Sequence, residues 1–130
     1  MNKHTYLNDT ISIIGNKWRL QILYQLRNSR LRFSQLKQAI PLITHKTLIH
    51  ELRNLMLAGL VEREMYAQIP PRVEYYITPL GYTTIPIIDS MISWGNYYST
   101  CHPTHSNYTP LPVELTGYSL HAFPLVANKR

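Results

Sequence analysis

The sequence predicts a mainly α-helical fold with one small antiparallel β-hairpin. Three observations predict it: short segments with helical apolar periodicity come first, alternating polarity begins after Gly59, and helical periodicity returns after Thr78. The chain has 130 residues, of which 45% are hydrophobic and 15% charged, and this composition suits one globular domain. We expect a folded domain over residues 5–100 and an irregular extension of open role over residues 101–130.

Two helices are predicted before residue 30. Apolar residues within 7–14, followed by Gly15, predict a short first helix that ends at the glycine. Asn16 is a candidate N-cap for a second helix that reaches Arg27, because its apolar residues recur at helical spacing.

The next two predicted helices are separated by a short turn. Ser34 is a candidate N-cap for a third helix over residues 35–40, which Pro41 ends. Thr44 is a candidate N-cap for a fourth helix, whose leucine stripe runs up to Gly59. Two short helices joined by such a turn form a helix-turn-helix.

The rest of the folded domain is predicted as a hairpin and a closing helix. Polarity alternates over residues 61–66 and 72–77, which predicts two strands whose connecting loop holds two prolines. Thr78 and Pro79 then begin a last helix with a broad apolar face. Pro86 is expected to kink this helix, because proline removes a backbone donor from a helix interior.

Basic charge is concentrated in one segment of the chain. The net charge is +6, and eight of the 13 lysines and arginines lie within residues 17–53, where Glu51 is the one acid. A folded segment this basic attracts polyanions: nucleic acid first, and an acidic membrane surface second. No apolar run approaches the roughly 18 residues needed to span a bilayer, and the N-terminus lacks the order of a secretory signal. We therefore expect a cytoplasmic protein that is not embedded in a membrane.

The predicted order of elements describes a winged helix-turn-helix. Four blocks of the chain follow this order: IGNKWRLQIL (14–23), RFSQLKQAIP (32–41), THKTLIHELRNLMLAGLVER (44–63) and IPPRVEYYITPLG (69–81). In order and spacing they resemble the HxlR family of bacterial winged-helix transcriptional regulators. The resemblance covers about residues 5–100. It implies a homodimer, formed through terminal helices, whose recognition helices enter successive major grooves about 34 Å apart on a near-palindromic operator.

The fourth helix is the predicted reader of base pairs, because an α-helix fits the major groove of B-DNA. Lys46 could reach guanine acceptors, Thr47 a thymine methyl, and His50 a base or a phosphate. The predicted base-reading residues are Thr44, His45, Lys46, Thr47 and His50. The predicted contacts to the DNA backbone, with Arg72 reaching from the wing to the minor groove, are Lys17, Arg19, Arg32, Ser34, Arg53 and Arg72.

The last helix carries more apolar surface than one small core can cover. Its natural partner is the same surface on a second copy, together with the first helix. The predicted dimer-interface residues are Leu7, Ile11, Ile87, Ile88, Met91, Trp94 and Tyr98. A small-molecule effector could act by shifting this interface, although nothing in the sequence identifies one.

No cofactor, metal or enzymatic activity is expected. Cys101 is the single cysteine, and although His102 and His105 lie beside it, zinc sites normally draw four ligands from two clusters. No GxGxxG, P-loop or HExxH motif occurs. Two alternatives remain: a winged-helix protein–protein module whose basic face meets an acidic partner, and an enzyme that depends on a metal or thiol at these three residues.

The sequence departs from the family at one position. The resemblance implies that several members sense thiol-reactive compounds through a cysteine about thirteen residues before the tryptophan, and Thr5 stands there in this chain. Because a hydroxyl cannot form the reactive thiolate, we do not expect such sensing through this residue.

Overall fold

The computed structural model describes residues 2–101. Their elements, in chain order, are α1 (Lys3–Ile14), α2 (Lys17–Leu26), α3 (Phe33–Ala39), α4 (His45–Leu57), β1 (Val61–Tyr66), β2 (Arg72–Ile77), α5 (Pro79–Tyr82) and α6 (Ile85–Cys101). The predicted fold class, mainly helical with a small antiparallel hairpin, is confirmed. The backbone divides into two compact units, one ending at Ile85 and one beginning at Pro86. The predicted extension, after Cys101, lies outside the described residues.

The first two helices begin at asparagine caps. The Asn2 side chain accepts a hydrogen bond from the Thr5 N–H at 3.1 Å, so α1 begins four residues earlier than the apolar pattern predicted. Asn16 caps α2 as predicted, and its side chain accepts from the N–H groups of Trp18 and Arg19.

The predicted cap of the third helix is wrong. Arg32 occupies the N-cap position of α3, and Ser34 lies inside the first turn. The Gln35 side-chain oxygen accepts from the Arg32 N–H at 2.8 Å, which satisfies an amide that would otherwise lack a partner. Helix α3 therefore starts at Phe33, two residues earlier than the serine cap implied.

Helix α4 begins and ends as predicted. The Thr44 hydroxyl accepts from the Thr47 N–H at 3.1 Å, and Gly59 has the positive φ of 77° that a residue beyond a helix end commonly adopts.

The turn before α4 contains a second residue with positive φ, Leu42 at 67°, and its side chain is 93% exposed. This backbone conformation is costly for a residue with a Cβ atom.

The hairpin pairs β1 with β2 in antiparallel register, from Val61 opposite Ile77 to Tyr66 opposite Arg72. The other edge of β2 is bridged by Leu31, which exchanges two backbone hydrogen bonds with Tyr75. Residues 67–71, including the two prolines of the loop, are exposed at the hairpin tip, as predicted.

The core of the first unit lies between the helices and the base of the hairpin. Its most deeply buried apolar residues come from α2, α3, α4, β1 and the turn after α3, and they are Ile22, Leu23, Leu26, Leu36, Ile40, Leu48, Leu52, Leu55 and Val61. The predicted leucine stripe of the fourth helix therefore fixes α4 to the rest of the unit.

The predicted single, kinked last helix is wrong. Thr78 and Pro79 begin α5 as predicted, but α5 ends at Tyr82 and a turn at Thr83 and Thr84 separates it from α6. Pro86 is the second residue of α6, where the missing backbone donor has no intrahelical partner to lose, so it starts a helix instead of bending one. Within residues 2–101, no helix is long and apolar enough to cross a bilayer.

We predict that Leu42→Gly raises the free energy of unfolding by about 0.5–1 kcal/mol. Glycine relieves the positive-φ cost of about 1–2 kcal/mol, and its greater freedom in the unfolded chain offsets part of that gain. The matched control is Leu42→Ala, which shortens the side chain but keeps the Cβ atom. Urea unfolding measures both, and equal stability of the two variants would contradict the expectation.

Candidate nucleic-acid interface

The turn between α3 and α4 leaves the N-terminal end of α4 exposed to solvent. Ile40 and Ile43 are buried on either side of the turn and fix it, whereas Leu42 points outward. The Thr44 cap then starts α4 with its first residues, His45 and Lys46, exposed. The order helix, tight turn and exposed second helix is that of a DNA-reading helix-turn-helix.

One side of α4 is buried and the opposite side is exposed and basic. Leu48, Leu52 and Leu55 point into the core, whereas Lys46 and Arg53 are exposed. Within residues 2–101, neither Lys46 nor Arg53 forms an ion pair, so both charges are available to an external anion.

The predicted base-reading residues differ in their exposure and in the contacts that their side chains make within the fold. His50 is 67% exposed in its side chain and lies 3.2 Å from the Asn54 amide nitrogen. The His45 ring packs edge-on against Phe33, with ring centroids 4.7 Å apart, so α3 holds it. His50 Nε2 also lies 3.7 Å from Glu51 Oε1, so Lys46 is the predicted residue with the fewest contacts inside the fold.

The two predicted threonines are occupied with each other. Thr44 Oγ1 accepts from the Thr47 N–H and donates to Thr47 Oγ1 at 2.9 Å. Thr47 is half-buried, on the helix side nearer the core. The two hydroxyls are thus bound to each other at the start of α4.

Arg19, a predicted contact to the DNA backbone, is engaged inside the fold. Its Nε donates to Glu51 Oε2 at 2.5 Å, and its Nη1 donates to the carbonyl oxygens of Ser12 and Ile13 at 3.0 and 3.1 Å. The two charged side chains are 19% and 6% exposed. Arg19 therefore joins the C-terminal end of α1 to α4, and its charge neutralises a buried carboxylate.

Arg72, the predicted wing contact, is also paired. Its Nε and Nη2 donate to Glu74 Oε2 at 3.1 and 2.7 Å, and 42% of its side chain remains exposed. Burial alone would raise the pKa of the Glu74 carboxyl, but hydrogen bonds from Arg72 and Tyr66 bring that pKa below its ordinary value. The guanidinium is thus held along the hairpin by an ionised partner and does not extend freely from the tip.

The wing is braced from outside by Arg30, which sequence reasoning did not single out. Its guanidinium lies 4.1 Å from the Tyr76 ring centroid and donates to Glu64, which stands directly opposite Glu74 in the hairpin. The hydrogen bond to Glu64 is the main cause that raises the pKa of Arg30. Three acids lie on this face of the hairpin, namely Glu62, Glu64 and Glu74, and Arg30 and Arg72 neutralise the last two.

The remaining predicted backbone contacts are accessible. Lys17, Arg32, Ser34 and Arg53 are all exposed, the first three at or near the starts of α2 and α3. The Lys17 ammonium lies 4.5 Å from the Trp18 ring centroid, a position that leaves it able to reach a phosphate.

The predicted dimer-interface residues occur in two separate helices. On α1, Leu7 and Ile11 are 59% and 55% exposed. On α6, four of the predicted residues are 38–55% exposed, namely Ile87, Met91, Trp94 and Tyr98, and the rings of the last two stack with centroids 5.3 Å apart. Ile88 is 4% exposed in the single chain and is therefore not part of the exposed set.

Of the three positions considered for metal or thiol chemistry, Cys101 alone lies within the described residues. Within residues 2–101, no group of three His, Cys, Asp or Glu side chains could hold a metal ion. Cys101 is exposed and not in a disulfide, and His102 and His105 lie outside the described residues. Thr5 lies in the first turn of α1, where its N–H is bound by the Asn2 cap.

We expect Arg19→Ala to lower the free energy of unfolding by about 2–4 kcal/mol, because it leaves the Glu51 carboxylate buried without its partner. Lys37→Ala, which removes an exposed cation from α3, serves as the control and should stay within about 0.5 kcal/mol of the original protein. Urea unfolding distinguishes them. If Arg19 were a phosphate contact instead, its removal would weaken DNA binding and leave the stability unchanged.

The geometry defines a class of protein. A helix-turn-helix with an exposed basic second helix, followed by an antiparallel hairpin, is a winged helix-turn-helix, the class to which many transcriptional regulators belong.

Comparisons identify the family. Residues 13–103 match the model of the HxlR-like helix-turn-helix family, so this chain belongs to that family. YkvN of Bacillus subtilis, an uncharacterised HTH-type transcriptional regulator, is 49% identical over 90 residues, which are 69% of this chain and 76% of YkvN. An uncharacterised HTH-type transcriptional regulator of Methanothermobacter thermautotrophicus is 42% identical over 69% of both chains. The family is one of transcriptional regulators and not of enzymes.

Solved structures of transcriptional regulators share this fold. A MarR-family transcriptional regulator from Porphyromonas gingivalis W83 superposes with a TM-score of 0.68 at 39% identity, covering 73% of this chain and 93% of the other. The redox regulator HypR in its oxidised form superposes with a TM-score of 0.67 at 37% identity, covering 70% and 94%. The predicted family and winged-helix fold are confirmed.

Proposed function

We propose that this protein is a sequence-specific, double-stranded DNA-binding transcriptional regulator that acts in the cytoplasm as a homodimer on a near-palindromic operator. The observation that carries the proposal is the exposed N-terminal half of α4. Lys46 and His50 lie there on the side opposite Leu48 and Leu52, whose burial in the core anchors α4 with its basic side toward solvent. A helix anchored in this way can enter a groove about 12 Å wide.

The distribution of charge supports the same assignment. Lys46 and His50 supply the base contacts, with His45 beside them, and Arg53 continues the exposed face one turn further along α4. The exposed groups at the starts of α2 and α3 hold the phosphates on either side, and they are Lys17, Arg32 and Ser34. Arg72 contributes less than a free arginine would, since Glu74 neutralises it.

The exposed apolar side chains of α1 and α6 support dimerisation. Leu7 and Ile11 on one helix, and Met91 and Trp94 on the other, remain accessible in a single chain although they are large and apolar. A second copy is the partner that covers both helices and gives the two recognition helices the fixed spacing that a near-palindrome requires.

The proposal is tested by selecting bound duplexes from a random pool and measuring the affinity of the selected site by fluorescence anisotropy. We expect a site with two related halves, and an affinity that falls by about 0.9 log units per log unit of salt for each phosphate neutralised. Absence of duplex binding at low salt would overturn the proposal and favour a protein–protein module.

Lys46→Ala is expected to weaken binding to the selected duplex about 5- to 150-fold and to relax the preference at one base pair in each half-site. The reason is that a cation at the start of a recognition helix reaches base acceptors in the major groove. The control is Lys3→Ala, which removes the same charge from the exposed start of α1. Equal losses in the two variants would contradict base reading by Lys46.

Met91→Glu is expected to convert the dimer to monomers in sedimentation experiments, because a carboxylate would lie in an apolar interface. The matched control is Leu80→Glu, which places the same charge at an apolar position that is 56% exposed but lies outside the proposed interface. A dimer that survives Met91→Glu would argue against the assignment of α6.

A further inference from the structure

Helix α4 carries an apolar side chain on its exposed face that the assignment above does not use. Ile49 is 40% exposed and lies three residues after Lys46 and four before Arg53. On a helix these spacings place it beside both cations, within about 60° of each around the helix axis. A single exposed isoleucine is ordinary on a protein surface, but this one belongs to the surface that would face the major groove.

We propose that Ile49 is a specificity-determining residue that reads a thymine C5-methyl group in each operator half-site. The inference rests on the proposed function, because it requires α4 to lie in the major groove. The thymine methyl is the one apolar group that base edges present there, and an aliphatic side chain recognises it by excluding water.

The structure favours Ile49 over Thr47, the residue that the sequence suggested for this contact. Thr47 is half-buried, and its hydroxyl and N–H are both bound by Thr44 at the start of α4. Ile49 is more exposed, and its side chain is wholly aliphatic. Its neighbours Lys46 and Arg53 attract the phosphates and base acceptors that flank a thymine, so the charges around the methyl contact are complementary to DNA.

The test uses the duplex selected by the original protein. Each thymine of one half-site is replaced in turn by deoxyuridine, which lacks the methyl group and keeps every hydrogen-bonding atom. We expect one replacement per half-site to weaken binding about fourfold, the value of one buried methyl group. In Ile49→Ser, binding to the thymine duplex should fall, and the same replacement should no longer matter.

The matched control is Leu57→Ser, which removes an apolar side chain, 80% exposed, from the last turn of the same helix. This variant should keep the full sensitivity to deoxyuridine. Circular dichroism is used to check that both variants retain the helical content of the original protein.

The outcomes separate the inference from the function on which it rests. If the original protein selects and binds a duplex but is insensitive to every deoxyuridine, or if Ile49→Ser remains as sensitive as the original, then Ile49 does not read a methyl group and the proposed function stands. If no duplex is bound at low salt, both fail together.

Discussion

The ion pair between Arg19 and Glu51 is the interaction on which the orientation of α4 depends. It joins α2 to α4, and the same guanidinium donates to the last carbonyl groups of α1. A carboxylate that is 6% exposed requires a charged partner, so α4 is held in one orientation. Glu51 follows His50 directly. The ion pair of Glu51 with Arg19 therefore also sets the direction in which the exposed side of α4 points.

Ion pairs between arginine and glutamate also organise the wing, which is the hairpin of β1 and β2. Glu64 and Glu74 face each other across the hairpin, an arrangement that repulsion would disfavour, and Arg30 and Arg72 neutralise them. Arg72, the one wing cation that the sequence assigned to DNA, is thus engaged in an ion pair within the hairpin. The exposed side of α4 and the starts of α2 and α3 keep cations that no ion pair within residues 2–101 neutralises, namely Lys46, Arg53, Lys17 and Arg32.

Much of the fold could be predicted because its signals are local. The caps at Asn16 and Thr44, the positive φ at Gly59 and the alternation of the two strands each follow from a few neighbouring residues. The errors were local signals that a competing contact overrode. Gln35 satisfied the amide of Arg32 and moved the start of α3, and the turn after Tyr82 placed Pro86 at a helix start instead of an interior.

The fold class and the family could be predicted from the sequence alone, because periodicity, helix caps and the order of motifs are local features of the chain. The tertiary structure alone decided which cations are free. Arg19 and Lys46 are alike as residues in a basic segment, yet Glu51, 32 positions away from Arg19, neutralises the first and nothing in residues 2–101 pairs with the second. Such partners meet only when distant segments pack, and the local sequence carries no sign of them.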